Sequence, residues 1–180
     1  MSLKSVSTTR LMPVAVIPSL ETAVPLANAL LEAGLPHIEI TLRTECALDA
    51  MRVIRKECPE MTVGAGTILD PAIIPELVDM GVAFGVSPGL NPAVIEKAQE
   101  LGFLMIPGVI TPGEVERGLS MGLKLLKFFP AEAAGGAKML KALAGPYGHT
   151  GVKFVPTGGI NAGNAKSYLD LSITEAIGGS

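Results

Sequence analysis

The chain has 180 residues, 48% of them hydrophobic and 17% charged, which is enough apolar mass for one folded domain over 1–180 and too much for a disordered chain. A net charge of −3, with no basic patch interleaved with aromatics, argues against nucleic acid as a partner. No apolar run approaches the roughly 18 residues of a membrane span, so no membrane partner is expected either.

The first ten residues, MSLKSVSTTR, are polar and lack a signal-peptide apolar region. A first strand is expected at 13–17 (PVAVI), followed by an amphipathic segment near 20–33. The next strand, HIEITL at 37–42, splits by parity. Ile38, Ile40 and Leu42 form an apolar set suited to packing on helices, while Glu39, Thr41 and Arg43 face the other way. Strands buried on both faces usually read apolar throughout, so those polar residues are unexpected for packing alone. A helix near 45–58 contains Cys46 and Cys58, which have no metal-type spacing and suit a cytoplasmic protein.

Strand–helix alternation continues to the end of the chain. Strands are expected at 61–65, 82–87, 103–107, 125–129, 152–156 and 173–178, with helices near 71–80, 91–101, 112–120, 135–144 and 162–170. Four strands stop at a proline followed by a small residue, at Pro88, Pro107, Pro130 and Pro156, because proline cannot continue a ladder. Eight strands joined by seven helices imply parallel strands with right-handed crossovers, and so a (β/α)8 TIM barrel. An open doubly wound sheet is the alternative, but GAGTIL at 64–69 lacks the third glycine of a dinucleotide fingerprint. Such a barrel needs a helix after its last strand. The sequence ends at IGGS, so the expectation is a barrel lacking its final C-terminal helix, with one apolar face of the last strand bare.

The stretch LKLLKFFPAE, 123–132, places two lysines in or near a buried strand. Leu125, Lys127 and Phe129 share one face, and Lys124, Leu126 and Phe128 the other. If Leu126 and Phe128 pack outward, Lys127 points into the barrel and Lys124 reaches solvent. Desolvation lowers a lysine's pKa and favours the neutral amine, which attacks ketones to form a Schiff base. Glu39 could move protons for that chemistry, and Arg43 could hold a carboxylate through its planar fork. Other readings stay open. Lys127 and Glu39 could form a structural ion pair, Arg43 could be a surface residue, and Lys153 is a rival nucleophile placed lower in its strand than Thr157.

Glycine pairs follow the last two strands, TGGIN at 157–161 and GGS at 178–180, where barrels of this kind often cradle phosphate on backbone N–H groups. His37 and His149 have no ligating partner at metal spacing, so no metal or other cofactor is expected.

Taken in order, IEITLRTECALDA, VGAGTI, SPGL, IPGV, LKFFPAEAAGG, AGPYG, VPTGGI and IGGS resemble the 2-keto-3-deoxy-6-phosphogluconate (KDPG) aldolases from about residue 13 onward. The resemblance implies a cytoplasmic, homotrimeric class I aldolase of the Entner–Doudoroff route, acting on a small phosphorylated keto acid. It also implies activity on 4-hydroxy-2-oxoglutarate in many members. Carried over by motif, it makes Lys127 the Schiff-base lysine and Glu39 the general acid/base. Arg43 and Thr67 would hold the pyruvate carboxylate, and Pro88 and Phe129 would line its pocket. Thr157 would contact the aldehyde half, and Gly158, Gly159, Gly179 and Ser180 would bind phosphate. An aldolase for 4-hydroxy-2-oxoglutarate or for the galactonate epimer remains an alternative, as does a non-catalytic barrel that binds a phosphorylated metabolite. The N-terminal helix of the family is expected to be short or absent here.

Overall fold

The computed structural model describes residues 4–179. Its strands are β1 (Leu11–Ala15), β2 (His37–Thr41), β3 (Thr62–Gly66), β4 (Phe84–Val86), β5 (Leu104–Ile106), β6 (Gly108–Val109), β7 (Leu125–Phe128), β8 (Lys153–Pro156) and β9 (Ile177–Gly179). The helices are α1 (Lys4–Thr9), α2 (Ala23–Glu32), α3 (Ala47–Glu57), α4 (Ile74–Asp79), α5 (Pro92–Glu100), α6 (Pro112–Ser120), α7 (Gly136–Tyr147) and α8 (Ala165–Leu169). Every strand pairing is parallel, in the sheet orders β5-β4-β3-β2-β1-β9 and β6-β7-β8. The result is a curled parallel α/β sheet of TIM-barrel type.

The strand expected at 103–107 does stop at Pro107, and a two-residue strand that was not expected, β6, follows it. With no N–H, Pro107 cannot donate to a ladder. Before it, β5 pairs with β4, and after it, β6 pairs with β7. The Pro107 carbonyl still accepts from the Lys127 N–H at 2.8 Å. At the other seam, isolated bridges join Phe154 to Thr174 and Thr157 to Gly178. The expected strand at 173–178 is therefore shortened. Residues 173–176 turn beside β8, and regular pairing begins at Ile177. The first strand begins two residues before Pro13, because Leu11 and Met12 pair with Ile177 and Gly178. Cys46 and Cys58 flank α3 at its two caps and lie outside the helix itself.

Parity sorts the side chains into layers. Ile38, Ile40, Val63 and Ala65 point outward to meet α2, α3, α4 and α5. Leu126, Phe128 and Phe154 point outward on the second sheet, against Leu140, Leu143, Tyr147 and Tyr168. Inside, Met12, Phe84, Val86, Ile106, Val155 and Ala176 form an apolar floor, joined by Val6 from α1. The helix before the first strand is present and short, six residues long, and it lies on that floor. Arg10 ties this end together by donating to the carbonyls of Thr174 (2.9 Å), Leu169 (3.0 Å) and Glu175 (3.3 Å). An apolar groove of about 360 Å³ runs along β1 and β9, between Leu30 and Leu35 on one side and Ala165 on the other.

His37 shares the inward parity of Glu39 and is fully buried. Its Nε2–H donates to the Leu11 carbonyl at 2.5 Å, while Nδ1 is buried with no hydrogen-bond partner among the described residues. Burial holds the imidazole below its ordinary pKa, against the pull of that carbonyl. The unfolded chain takes up a proton near pH 6.5, whereas the folded chain resists it until lower pH. Folding stability should therefore fall as pH drops below about 6.5. Urea denaturation of His37→Gln between pH 7.5 and 5.5 should show a shallower acid loss than the wild type. An unchanged slope would remove His37 as its cause.

Candidate active site

Above the apolar floor the inward positions become polar. Lys127, on β7 of one sheet, meets Glu39, on β2 of the other, with Nζ 3.7 Å from Oε1. Their side chains are only 9% and 3% exposed, so this is not a solvated surface pair. The Lys127 ammonium also lies over the Phe129 ring, 4.8 Å from its centre. Glu39 fits only because residue 66 has no side chain. A Cβ on Gly66 would stand 2.2 Å from the carboxylate oxygen.

Burial pushes the Glu39 carboxyl above its ordinary range, with Lys127 and then Arg43 opposing the rise. Burial likewise pushes Lys127 below its ordinary range. Glu39 opposes that fall, and the Arg43 guanidinium adds to it. Burial thus works against the charged form of each partner, while each partner favours the charge on the other.

The other lysines lie elsewhere. Lys124 sits just before β7, exposed, and donates to the Thr150 carbonyl at 3.0 Å. Lys153 has the same inward parity as Lys127 but stands at the opposite end of the barrel, where it donates to the Ser172 carbonyl at 2.6 Å.

Lys127 and Glu39 open into a cavity of about 540 Å³ that also draws in Arg43, Thr67, Pro88, Phe129, Thr157, Gly158, Gly159 and Gly179. Ser180, also expected here, lies outside the described residues. Arg43 is exposed at the mouth, its Nε–H donating to Thr41 Oγ1 at 3.2 Å. Thr67 adopts φ +62°, a left-handed conformation costly for a β-branched residue, which fixes its position at the cavity wall. Thr157 is buried, and its hydroxyl donates to the Val155 carbonyl at 3.3 Å. Gly158 (φ +103°) and Gly159 (φ +77°) turn the chain across the rim. Among the described residues, the adjacent N–H groups of Gly159 and Ile160 have no backbone acceptor, whereas the Gly158 N–H faces the Gly178 carbonyl across the Thr157–Gly178 bridge. Two adjacent free N–H groups of this kind suit an anion. The described residues contain no cluster of three or more His, Cys, Asp or Glu arranged to hold a metal ion.

A family model for KDPG and KHG aldolases matches residues 3–180. The KHG/KDPG aldolase of Escherichia coli K12 is 48% identical over 99% of this chain and 84% of its own length. The chain belongs to the KDPG and KHG aldolase family. The 2-dehydro-3-deoxy-phosphogluconate aldolase of Dickeya dadantii is 46% identical over 93% of this chain and 78% of its own length. Among solved structures, the KDPG aldolase of Legionella pneumophila, with pyruvate captured as a covalent carbinolamine, has a TM-score of 0.93 at 40% identity. It covers 99% of this chain and 87% of that one. The KDPG aldolase of Zymomonas mobilis with 3-phosphoglycerate has a TM-score of 0.91 at 38% identity, covering 99% and 86%.

Within this family fold the cavity has further walls that the sequence did not single out as site residues: Val14, Thr41, Ile160 and Gly178. Thr41 carried a usable signal, since it shares the face of Glu39 and Arg43. Gly178 touches Thr157, where an added Cβ would come within 2.3 Å of Oγ1, a closeness that no local pattern encodes.

The electrostatics give a direct test. Glu39 is the one influence named above that raises the pKa of Lys127, so Glu39→Gln should lower it further. Labelling of Lys127 by an amine-directed reagent, followed against pH by mass spectrometry, should shift its midpoint to lower pH in that variant. A midpoint unchanged or raised contradicts the coupling.

Proposed function

We propose that this chain is a metal-independent class I aldolase that reversibly cleaves KDPG to pyruvate and glyceraldehyde 3-phosphate. The observation that carries the reading is the buried Lys127–Glu39 pair, both partners displaced toward neutrality, inside a cavity with anion-holding groups at its edges. The covalent pyruvate carbinolamine in the Legionella relative supports the same chemistry.

The neutral Lys127 amine attacks the C2 ketone. The resulting hydroxyl sits on the carbon bonded to Nζ, within reach of a carboxyl 3.7 Å from Nζ. Glu39, as the acid, protonates that hydroxyl through a water. Water leaves and the iminium forms. Glu39, now a carboxylate, takes the C4 hydroxyl proton. The C3–C4 bond breaks, its electrons enter the iminium, and the aldehyde departs. Protonation of the enamine at C3 and hydrolysis release pyruvate and the free lysine. Arg43 and the Thr67 hydroxyl hold the carboxylate, the Arg43 fork making a planar match. Pro88 and Phe129 form the wall beside the pyruvyl carbons, and Thr157 faces the aldehyde half. Gly158, Gly159, Gly179 and Ser180 receive the phosphate.

The same site would accept 4-hydroxy-2-oxoglutarate or the galactonate epimer of KDPG. The free N–H groups of Gly159 and Ile160 favour the phosphorylated substrate. We further infer a closed (β/α)8 barrel assembled as a homotrimer, which sedimentation would test. The exposed Val16, Leu20 and Leu69 beside the barrel mouth are candidates for burial between copies. Cys46 and Cys58 are both free thiols, which suits a cytoplasmic enzyme.

Borohydride reduction in the presence of pyruvate should leave one adduct, on Lys127, read by intact and peptide mass. Lys127→Ala should lose both adduct and cleavage, and Glu39→Gln should slow cleavage by about 10² to 10⁴. An adduct on Lys124 or Lys153 would sink the assignment. Full function retained in Lys127→Ala would point to a binding protein.

A further inference from the structure

Glu132 lies between β7 and α7, on a segment that follows the site lysine but does not line the cavity. Its backbone N–H donates to the Gly158 carbonyl at 3.1 Å, and the preceding Ala131 N–H donates to the Thr157 carbonyl at 2.8 Å. Its side-chain stem rests directly on Gly159, where an added Cβ would stand 2.8 Å from both Cβ and Cγ of Glu132. Its carboxylate oxygen Oε1 accepts a hydrogen bond from the Tyr168 hydroxyl. Tyr168 is fully buried in the outer core, so that hydroxyl is held on a ring with no freedom to move. Gly159 is also gripped from the residue that precedes α8, where the Asn164 amide donates to its carbonyl at 3.0 Å.

We propose that Glu132 and Tyr168 are positioning residues for phosphate recognition, fixing the Gly158–Gly159 turn so that its N–H groups face the anion. The inference rests on the phosphate reading above. Two physical effects act together. The buried hydroxyl fixes the carboxylate, the carboxylate fixes the stem, and the stem fixes Gly159. The same hydrogen bond also keeps a negative charge on the helix side of the turn, away from the bound anion. Freed from Tyr168, that carboxylate would repel phosphate as well as loosen the turn.

The test compares KDPG with unphosphorylated 4-hydroxy-2-oxoglutarate, and uses inorganic phosphate as a competitive inhibitor. Tyr168→Phe keeps the ring and removes one O–H. Glu132→Ala removes the stem from an exposed position and carries the test should Tyr168→Phe fail to fold. Both should raise KM for KDPG and the phosphate inhibition constant by about five- to tenfold, with kcat/KM for the unphosphorylated substrate within about twofold of wild type. Glu132→Gln keeps an acceptor for Tyr168 without the charge, and should stay close to wild type on KDPG. Unchanged phosphate affinity in Tyr168→Phe or Glu132→Ala overturns the proposal. So does an equal loss on both substrates, which would mean general loosening. A wild-type enzyme indifferent to phosphate gives a different pattern, because it overturns the phosphate reading and this inference with it.

Discussion

Lys127 and Glu39 meet where water is largely excluded, and the surrounding architecture makes that contact possible. Taking two charges out of water costs several kcal/mol per ion, and their attraction repays this only with excellent geometry and further hydrogen bonds. At 3.7 Å, the pair does not offer such geometry. Burial accordingly pushes the carboxyl's pKa upward and the amine's downward. The contact also spans the two sheets, so it depends on the curl that brings β2 opposite β7, and on the space left by Gly66. A structural ion pair explains none of these features well, whereas a reactive amine next to a proton source uses them all.

The interior is divided by depth. Toward the N-terminal ends of the strands, the inward positions are Met12, Phe84, Ile106 and Val155, with α1 beneath them. Toward the C-terminal ends they are Glu39, Thr41, Lys127 and Thr157. The apolar end supplies cohesion, and the polar end holds groups whose burial is destabilising in itself. Stability and chemistry are thus placed at opposite ends of the same strands, as barrels of this kind arrange them. Parity alone does not separate Lys127 from Lys153, because both point inward. Depth separates them. Lys153 pairs in register with Leu125, two residues below Lys127, and its ammonium escapes to a carbonyl at the rim.

Much of this was legible in the sequence because it follows from short-range rules. Period-2 alternation in HIEIT and LLKF fixes which residues share a face, and Pro107 and Pro156 mark strand ends because they lack an N–H. Thr111–Pro112 followed by Glu114 starts α6 with a capping box, so that helix begins where expected. What escaped depends on partners distant in sequence. The extra strand β6 after Pro107 reflects its pairing with β7, while β5 before it pairs with β4. The late start of β9 reflects turns at 173–176 that bond to Phe154. The hydrogen bond between Glu132 and Tyr168 spans 36 residues, and no local pattern announces it.

The burial that disfavours both charges of the site pair bears on catalysis as well as on folding. Forming an iminium places a positive charge on Nζ. In the proposed mechanism, Glu39 becomes negative in the step in which it gives its proton to the departing hydroxyl. Its charge would then lie beside the cationic iminium, and their attraction would be exerted on that intermediate and on the barriers flanking it. An interaction stronger in the intermediate than in the ground state is the kind that accelerates a reaction. The other end of the cavity follows the same logic. On the proposed reading, holding a phosphate with neutral N–H groups, rather than with a second lysine, would add no positive charge to a site that must itself become cationic.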